Sequence, residues 1–200
     1  MRVIGLTGGI ASGKSTVLNV LKKLGFIVIE VDKTAHLIME PGQKAYQEIV
    51  ELFGSCILGP DGKIDRLLLG NIVFNDPALL TKLNQITHPR VGQFLQRRLR
   101  EIEDEQPHAV VVLEVPLLFE SGMDKLCDHI FVVWVDRETQ IRRLMLREGL
   151  EREQARKRIM SQMDLNEKAK LADFVIDNTQ SIEITAEIAE KYFSVFSRHF

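Results

Sequence analysis

A chain of 200 residues with 45% apolar and 27% charged side chains excludes the disordered and fibrous classes and suffices for one domain with a buried core. A formal net charge of −2 excludes a nucleic-acid binder that works by bulk charge. Two distant cysteines, Cys56 and Cys127, exclude a disulfide framework and a zinc ligand set. With no apolar run of membrane-spanning length and no leader pattern, they predict a cytoplasmic chain with no membrane partner.

The first predicted element is a strand over residues 2–7. Residues 14–24 predict a helix with Val17, Leu18, Leu21 and Leu24 on one face and Gly25 at its C-terminal stop. A second strand is predicted over 26–31, a third over 109–115, a fourth over 129–135 and a short fifth over 174–176. These runs are rich in Val and Ile and do not alternate with polar residues, the pattern of strands covered on both faces in a parallel sheet. Helices are predicted over 137–147, 151–163 and 181–196. Strand–helix alternation therefore predicts an α/β fold of three layers with a five-stranded parallel sheet.

The connection from about 33 to 107 is far longer than one crossover needs and reads as mostly helical. It is expected to be an inserted acceptor-binding subdomain at the open end of the sheet, or else extra helices packed on the core. Within it, Asp65 is the expected N-cap of a helix over 66–74. His88 before Pro89 either caps a helix over 91–100 or touches an acceptor. Arg66 is either a solvent residue or a partner for acceptor phosphates. His36, His108, His129 and His199 have no zinc-ligand spacing.

Gly8-Gly9-Ile10-Ala11-Ser12-Gly13-Lys14-Ser15-Thr16 contains the pattern G-x-x-x-x-G-K-[ST], directly after the first strand and before a helix. Glycines let successive N–H groups turn inward on one anion, and the helix start adds its own N–H groups and positive dipole end. Lys14 then reaches the β- and γ-phosphates of ATP, and the Ser15 hydroxyl ligates Mg²⁺. The expected fold is thus a P-loop NTPase fold. The chain has no N-K-x-D or D-x-x-G motif of GTPases and no L-S-G-G-Q stretch. A small kinase remains, or a nucleotide-binding regulator without chemistry.

Asp32 follows the second strand at the carboxyl end of the sheet. It reads equally as a base that deprotonates a hydroxyl acceptor and as an N-cap for a helix starting near Lys33. Residues 137–158 hold eight basic and four acidic side chains. Arg143 and Arg147 lie four apart on one helix face and are expected in a lid over about 140–165, against the alternative of a solvated basic face.

The chain resembles the dephospho-coenzyme A kinase family over nearly its whole length. The resemblance is carried by Gly5 to Ile10 running into the loop, Asp32 with Ala35, Phe53-Gly54, Asp61 to Arg66, Leu83-Asn84 and His88-Pro89. It continues in Val115-Pro116-Leu117-Leu118-Phe119-Glu120, Gln140 with Arg143 and Arg147, Arg158 with Gln162, and Asp173 with Asp177-Asn178. The resemblance implies transfer of the ATP γ-phosphoryl group to the ribose 3′-hydroxyl of dephospho-coenzyme A. It implies Asp32 as general base and Lys14 and Arg143 as further catalytic residues. Gly8, Gly9, residues Ala11 to Thr16, Arg143, Arg147 and Asn178 are implied on the ATP side. Asp32 and the Pro116-Leu117 turn are implied on the acceptor side, with Arg66 and His88 of the insert as the further acceptor-binding candidates. A monomer is expected, with an oligomer left open. Two motifs depart from the family pattern: Glu30-Val31-Asp32 stands for Asp-Ala-Asp, and Glu114 stands for Asp, so that Glu30 and Glu114 keep a carboxylate one methylene longer.

Overall fold

The computed structural model describes residues 1–198, so His199 lies outside the described residues. In chain order the elements are β1 (Arg2–Gly8), α1 (Lys14–Lys23), β2 (Ile27–Glu30), α2 (Val31–Leu37), α3 (Lys44–Phe53), α4 (Arg66–Phe74) and α5 (Pro77–Glu105). They continue with β3 (Val110–Glu114), β4 (His129–Trp134), α6 (Arg137–Glu148), α7 (Arg152–Met160), α8 (Leu165–Leu171), β5 (Phe174–Asp177) and α9 (Ile182–Arg198). The chain divides into two compact units, one of residues 1–30 with 102 onward and one of residues 31–101.

In the first unit, the described strands form one parallel sheet in the order β2-β3-β1-β4-β5. Period-two alternation splits its side chains between two faces. Ile4, Leu6, Val112, Phe131, Val133 and Ile176 pack against Val17, Leu18 and Leu21 of α1 and Ala189 and Phe193 of α9. Val132 and Val135 pack instead with Leu165 of α8. The sheet is therefore a middle layer with helices on both faces, which explains why its strands read as continuous apolar runs.

Helix α1 ends in a Schellman turn. Phe26 N–H bonds Leu21 O at 3.1 Å and Gly25 N–H bonds Lys22 O at 3.2 Å. Gly25 supplies the φ of 80° that this turn needs. The chain then reverses into β2.

Three expectations change here. The second strand is shorter than 26–31, because Val31 already starts α2. Asp32 therefore sits inside the first turn of α2 and is not the N-cap of a helix starting near Lys33. The helix expected over 151–163 stops at Met160, and a separate α8 follows it.

The second unit is helical. Asp65 Oδ1 accepts N–H bonds from Leu67 and Leu68, both at 3.0 Å, and so caps α4 as its position predicts. Helix α5 runs through Pro89 without a break, so His88 caps no helix at Val91. Proline removes one N–H from the ladder and crowds the preceding turn. The carbonyl that loses its donor is that of Gln85, while Thr87 Oγ1 donates to Leu83 O at 3.0 Å and Arg90 Nη1 to Ile86 O at 2.9 Å on either side of it.

Candidate active site

The loop between β1 and α1 is built by backbone conformation. Ala11 has φ 59° and Gly13 has φ 87°, two left-handed residues that curl the peptide chain around a hollow. Ser12 N–H closes the turn onto Gly9 O at 3.1 Å. Groups around the loop leave its glycines no room for a side chain. A Cβ on Gly8 would lie 2.5 Å from Ser12 Oγ, on Gly9 2.4 Å from Gln140 Nε2, and on Gly13 2.0 Å from Asn178 Nδ2.

Three amide side chains hold the loop from outside. Gln140 Nε2 donates to Ile10 O at 2.9 Å, Gln162 Oε1 accepts from Ile10 N–H at 3.1 Å, and Asn178 Nδ2 donates to Ser12 O at 2.6 Å. Asn178 is only 3% exposed, and its Oδ1 accepts from Thr185 Oγ1 at 2.5 Å. Arg143 Nη2 donates to Asn178 O at 3.0 Å, which puts a guanidinium beside Gly13. Ile10 and Ala11 also pack against Ile141, Leu144, Ala155 and Ile159, so α6 and α7 share an apolar cluster with the loop.

Lys14 Nζ lies 3.7 Å from Glu114 Oε1, with both side chains largely buried. Register explains the contact: Glu114 ends β3 opposite Leu6 of β1, next to the strand that feeds the loop. Among the described residues, the buried Ser12 Oγ has no hydrogen-bond partner. A buried hydroxyl without a partner is costly unless a ligand satisfies it. Ser15 is exposed in the first turn of α1. A buried unpartnered hydroxyl, a lysine and a left-handed nest fit an anion, and an exposed serine beside them fits a hard cation.

The structure treats the two arginines differently. Arg147 is exposed and bonds Glu148 at 2.7 Å, and Arg158 pairs with the same carboxylate. Arg143 alone reaches the loop's support. Downstream of β3, Pro116 O accepts from Thr7 Oγ1 at 3.2 Å and from Lys168 Nζ at 2.7 Å, while Leu117 is 42% exposed. Lys168 had no signal in the sequence, since α8 is short and the burial of one lysine is decided by distant partners.

In the second unit, Asp32 and His36 stand one turn apart on α2, and Arg66 opens α4. His36 is held below its ordinary pKa by burial and by the Arg66 charge, against the pull of Asp32, so these three groups sense one another. A cavity of about 460 Å³ is lined by His36, Met39, Lys63, Ile64 and Arg66, among others. His88 is partly buried on α5, and burial lowers its pKa.

The family model described as dephospho-CoA kinase matches residues 2–183. A dephospho-CoA kinase of Carboxydothermus hydrogenoformans is 50% identical over 185 residues, covering 92% of this chain and 89% of that one. One from Geobacter sulfurreducens is 43% identical over 200 residues, covering 100% of both. The solved structure of dephospho-CoA kinase from Campylobacter jejuni superimposes with a TM-score of 0.77 at 33% identity, covering 100% of this chain and 99% of that one. With a phosphate-type loop at its centre and full-length relatives of one kind, the chain belongs to the dephospho-CoA kinase family.

Proposed function

We propose that this chain transfers the γ-phosphoryl group of ATP to the ribose 3′-hydroxyl of dephospho-coenzyme A, giving coenzyme A and ADP. The observation that carries the reading is the loop itself: two left-handed residues, a buried Ser12 hydroxyl without a hydrogen-bond partner, and Lys14 opening the helix that follows. Membership of the family supports the choice of acceptor.

On this reading Gly8, Gly9 and Ala11 to Thr16 wrap the ATP phosphates with N–H donors and the Lys14 ammonium. The Ser15 hydroxyl would hold magnesium, which would supply neutralisation of the phosphate charge. Arg143 neutralises charge on the transferring group. Arg147, on the next turn of α6, closes over the same nucleotide once it leaves Glu148. Asn178 serves the ATP side by holding Ser12 O. Asp32 removes the proton of the 3′-hydroxyl. The freed oxygen then forms a bond to the γ-phosphorus while the bond to the ADP oxygen breaks. Arg66, His88, Pro116 and Leu117 receive the acceptor. The helical segment over 33–107 is its binding subdomain, and residues 140–165 are the lid that excludes water. The chain works as a monomer in the cytoplasm, without nucleic acid or membrane. No helix among the described residues is long and apolar enough to cross a bilayer.

A coupled assay with ATP, Mg²⁺ and dephospho-coenzyme A tests this. The native chain turns over, and Asp32→Asn loses roughly 10²-fold or more in kcat, the scale for a general base. Equal rates for the two would remove Asp32 from the mechanism. Preference for a nucleoside monophosphate acceptor would overturn the assigned substrate.

A further inference from the structure

Lys168 is 0% exposed, on a helix of seven residues, in a chain whose other lysines all keep some exposure. Its Nζ donates to Pro116 O at 2.7 Å and pairs with Glu120 Oε1 at 2.9 Å. The same Glu120 oxygen accepts from Met163 N–H at 3.0 Å. Met163 directly follows Gln162, whose Oε1 accepts from Ile10 N–H of the phosphate loop at 3.1 Å. A second route is shorter. Pro116 O also accepts from Thr7 Oγ1 at 3.2 Å, and Thr7 is the fully buried residue before Gly8.

Stability alone gives no reason for this arrangement. Only the lysine end of the pair is buried, while Glu120 keeps 24% of its side chain exposed, and replacing such a pair by apolar side chains of similar volume is often neutral. What apolar side chains cannot supply is direction: a charged donor fixes one carbonyl and one carboxylate, and the carboxylate fixes one N–H. The Pro116 carbonyl meets Thr7 of the feeding strand directly, and the Met163 N–H lies one residue from Gln162, which meets the loop.

We propose that Lys168 is a positioning residue for the phosphate loop, acting through Glu120, Met163 and Gln162. The proposal rests on the reading of that loop as the ATP site. Lys168 touches no nucleotide on this account. It sets the return of the α6–α7 segment so that Gln162 meets Ile10 at the right height, with Gln140 gripping the other side of the same residue.

The test is calorimetric binding of a non-hydrolysable ATP analogue with Mg²⁺, beside thermal melts, on four proteins: native, K168M/E120L, Q162L and the triple variant. The double variant removes both charges together, so it melts close to the native protein. It binds the analogue about tenfold more weakly, the scale of one well-placed hydrogen bond. Q162L shows a similar loss, and the triple variant falls no more than about twofold below the double, because the residues form one chain. A structural role alone would lower the melting temperature and leave binding unchanged. Native-like binding by the double variant, or losses that multiply in the triple, would overturn the inference and spare the ATP reading. If the double variant does not fold, Q162L decides, and native-like binding by it overturns the proposal. A native protein that fails to bind the analogue would overturn the ATP reading itself.

Discussion

Gly13 carries two constraints at once. Its φ of 87° strains any side chain by about 1–2 kcal/mol. A methyl group there would also fall 2.0 Å from Asn178 Nδ2, which is bonded to Ser12 O. Gly13→Ala therefore shifts the loop or breaks that bond. Steady-state kinetics should show roughly a 10²-fold loss in kcat/KM for ATP, the scale of a misplacement near 1 Å. The two cysteines make a second contrast between single residues. Burial, aided by Asp124 and Asp128, pushes the Cys127 thiol up to about 12, whereas Cys56 is exposed. Thiolate is the reactive form, so Cys127 stays unreactive near pH 8. An aromatic disulfide reagent at that pH should titrate one thiol quickly and the second only after unfolding. Two fast thiols would contradict the packing of Cys127 against Gly5.

Among the elements, α4 depends on a cap that the sequence displayed. Asp65 satisfies two N–H groups of its first turn, and Asp65→Ala should lower stability by about 1 kcal/mol in urea unfolding. What the sequence displayed well were features with local causes. Strands 2–7 and 129–135 stood out because both faces are covered. The phosphate loop stood out because its chemistry demands glycine, lysine and serine at set spacings. Gly25 stood out because its turn demands a positive φ. Features decided by distant partners did not show. Val31 is Val-rich strand material by composition, yet it starts a helix. Pro89 looks like a helix boundary, yet α5 passes through it. The clamps from Gln140 and Gln162 span more than a hundred residues and follow no period. Lys168 belongs to the same class, since nothing adjacent in sequence marks it for burial.

For the whole molecule, two imidazoles set an acid limit. Burial is the larger cause that lowers His36, with Arg66 adding to it, and burial alone lowers His88. Each folded pKa lies below the unfolded value of 6.5, so the unfolded chain binds more protons in the interval between them. Stability is therefore lost as pH falls from about 6.5 towards the folded values. Urea midpoints at pH 7.5 and 5.5 should show this drop, and His88→Gln should show a smaller one. An equal drop in the variant would assign the acid sensitivity elsewhere.

The place of β1 at the middle of the sheet also bears on how the chain is made. Its neighbours, β3 and β4, begin at Val110 and His129. At roughly 5–20 residues per second, ribosomes need on the order of 5–25 s after making β1 to deliver both. Until β3 is made, the strand that feeds the nucleotide loop has no lateral partner, while the helices of residues 31–101 can form from local contacts. The nascent chain thus carries a core strand unpaired through about half of translation, which makes newly synthesised protein, rather than finished protein, the natural client of a chaperone.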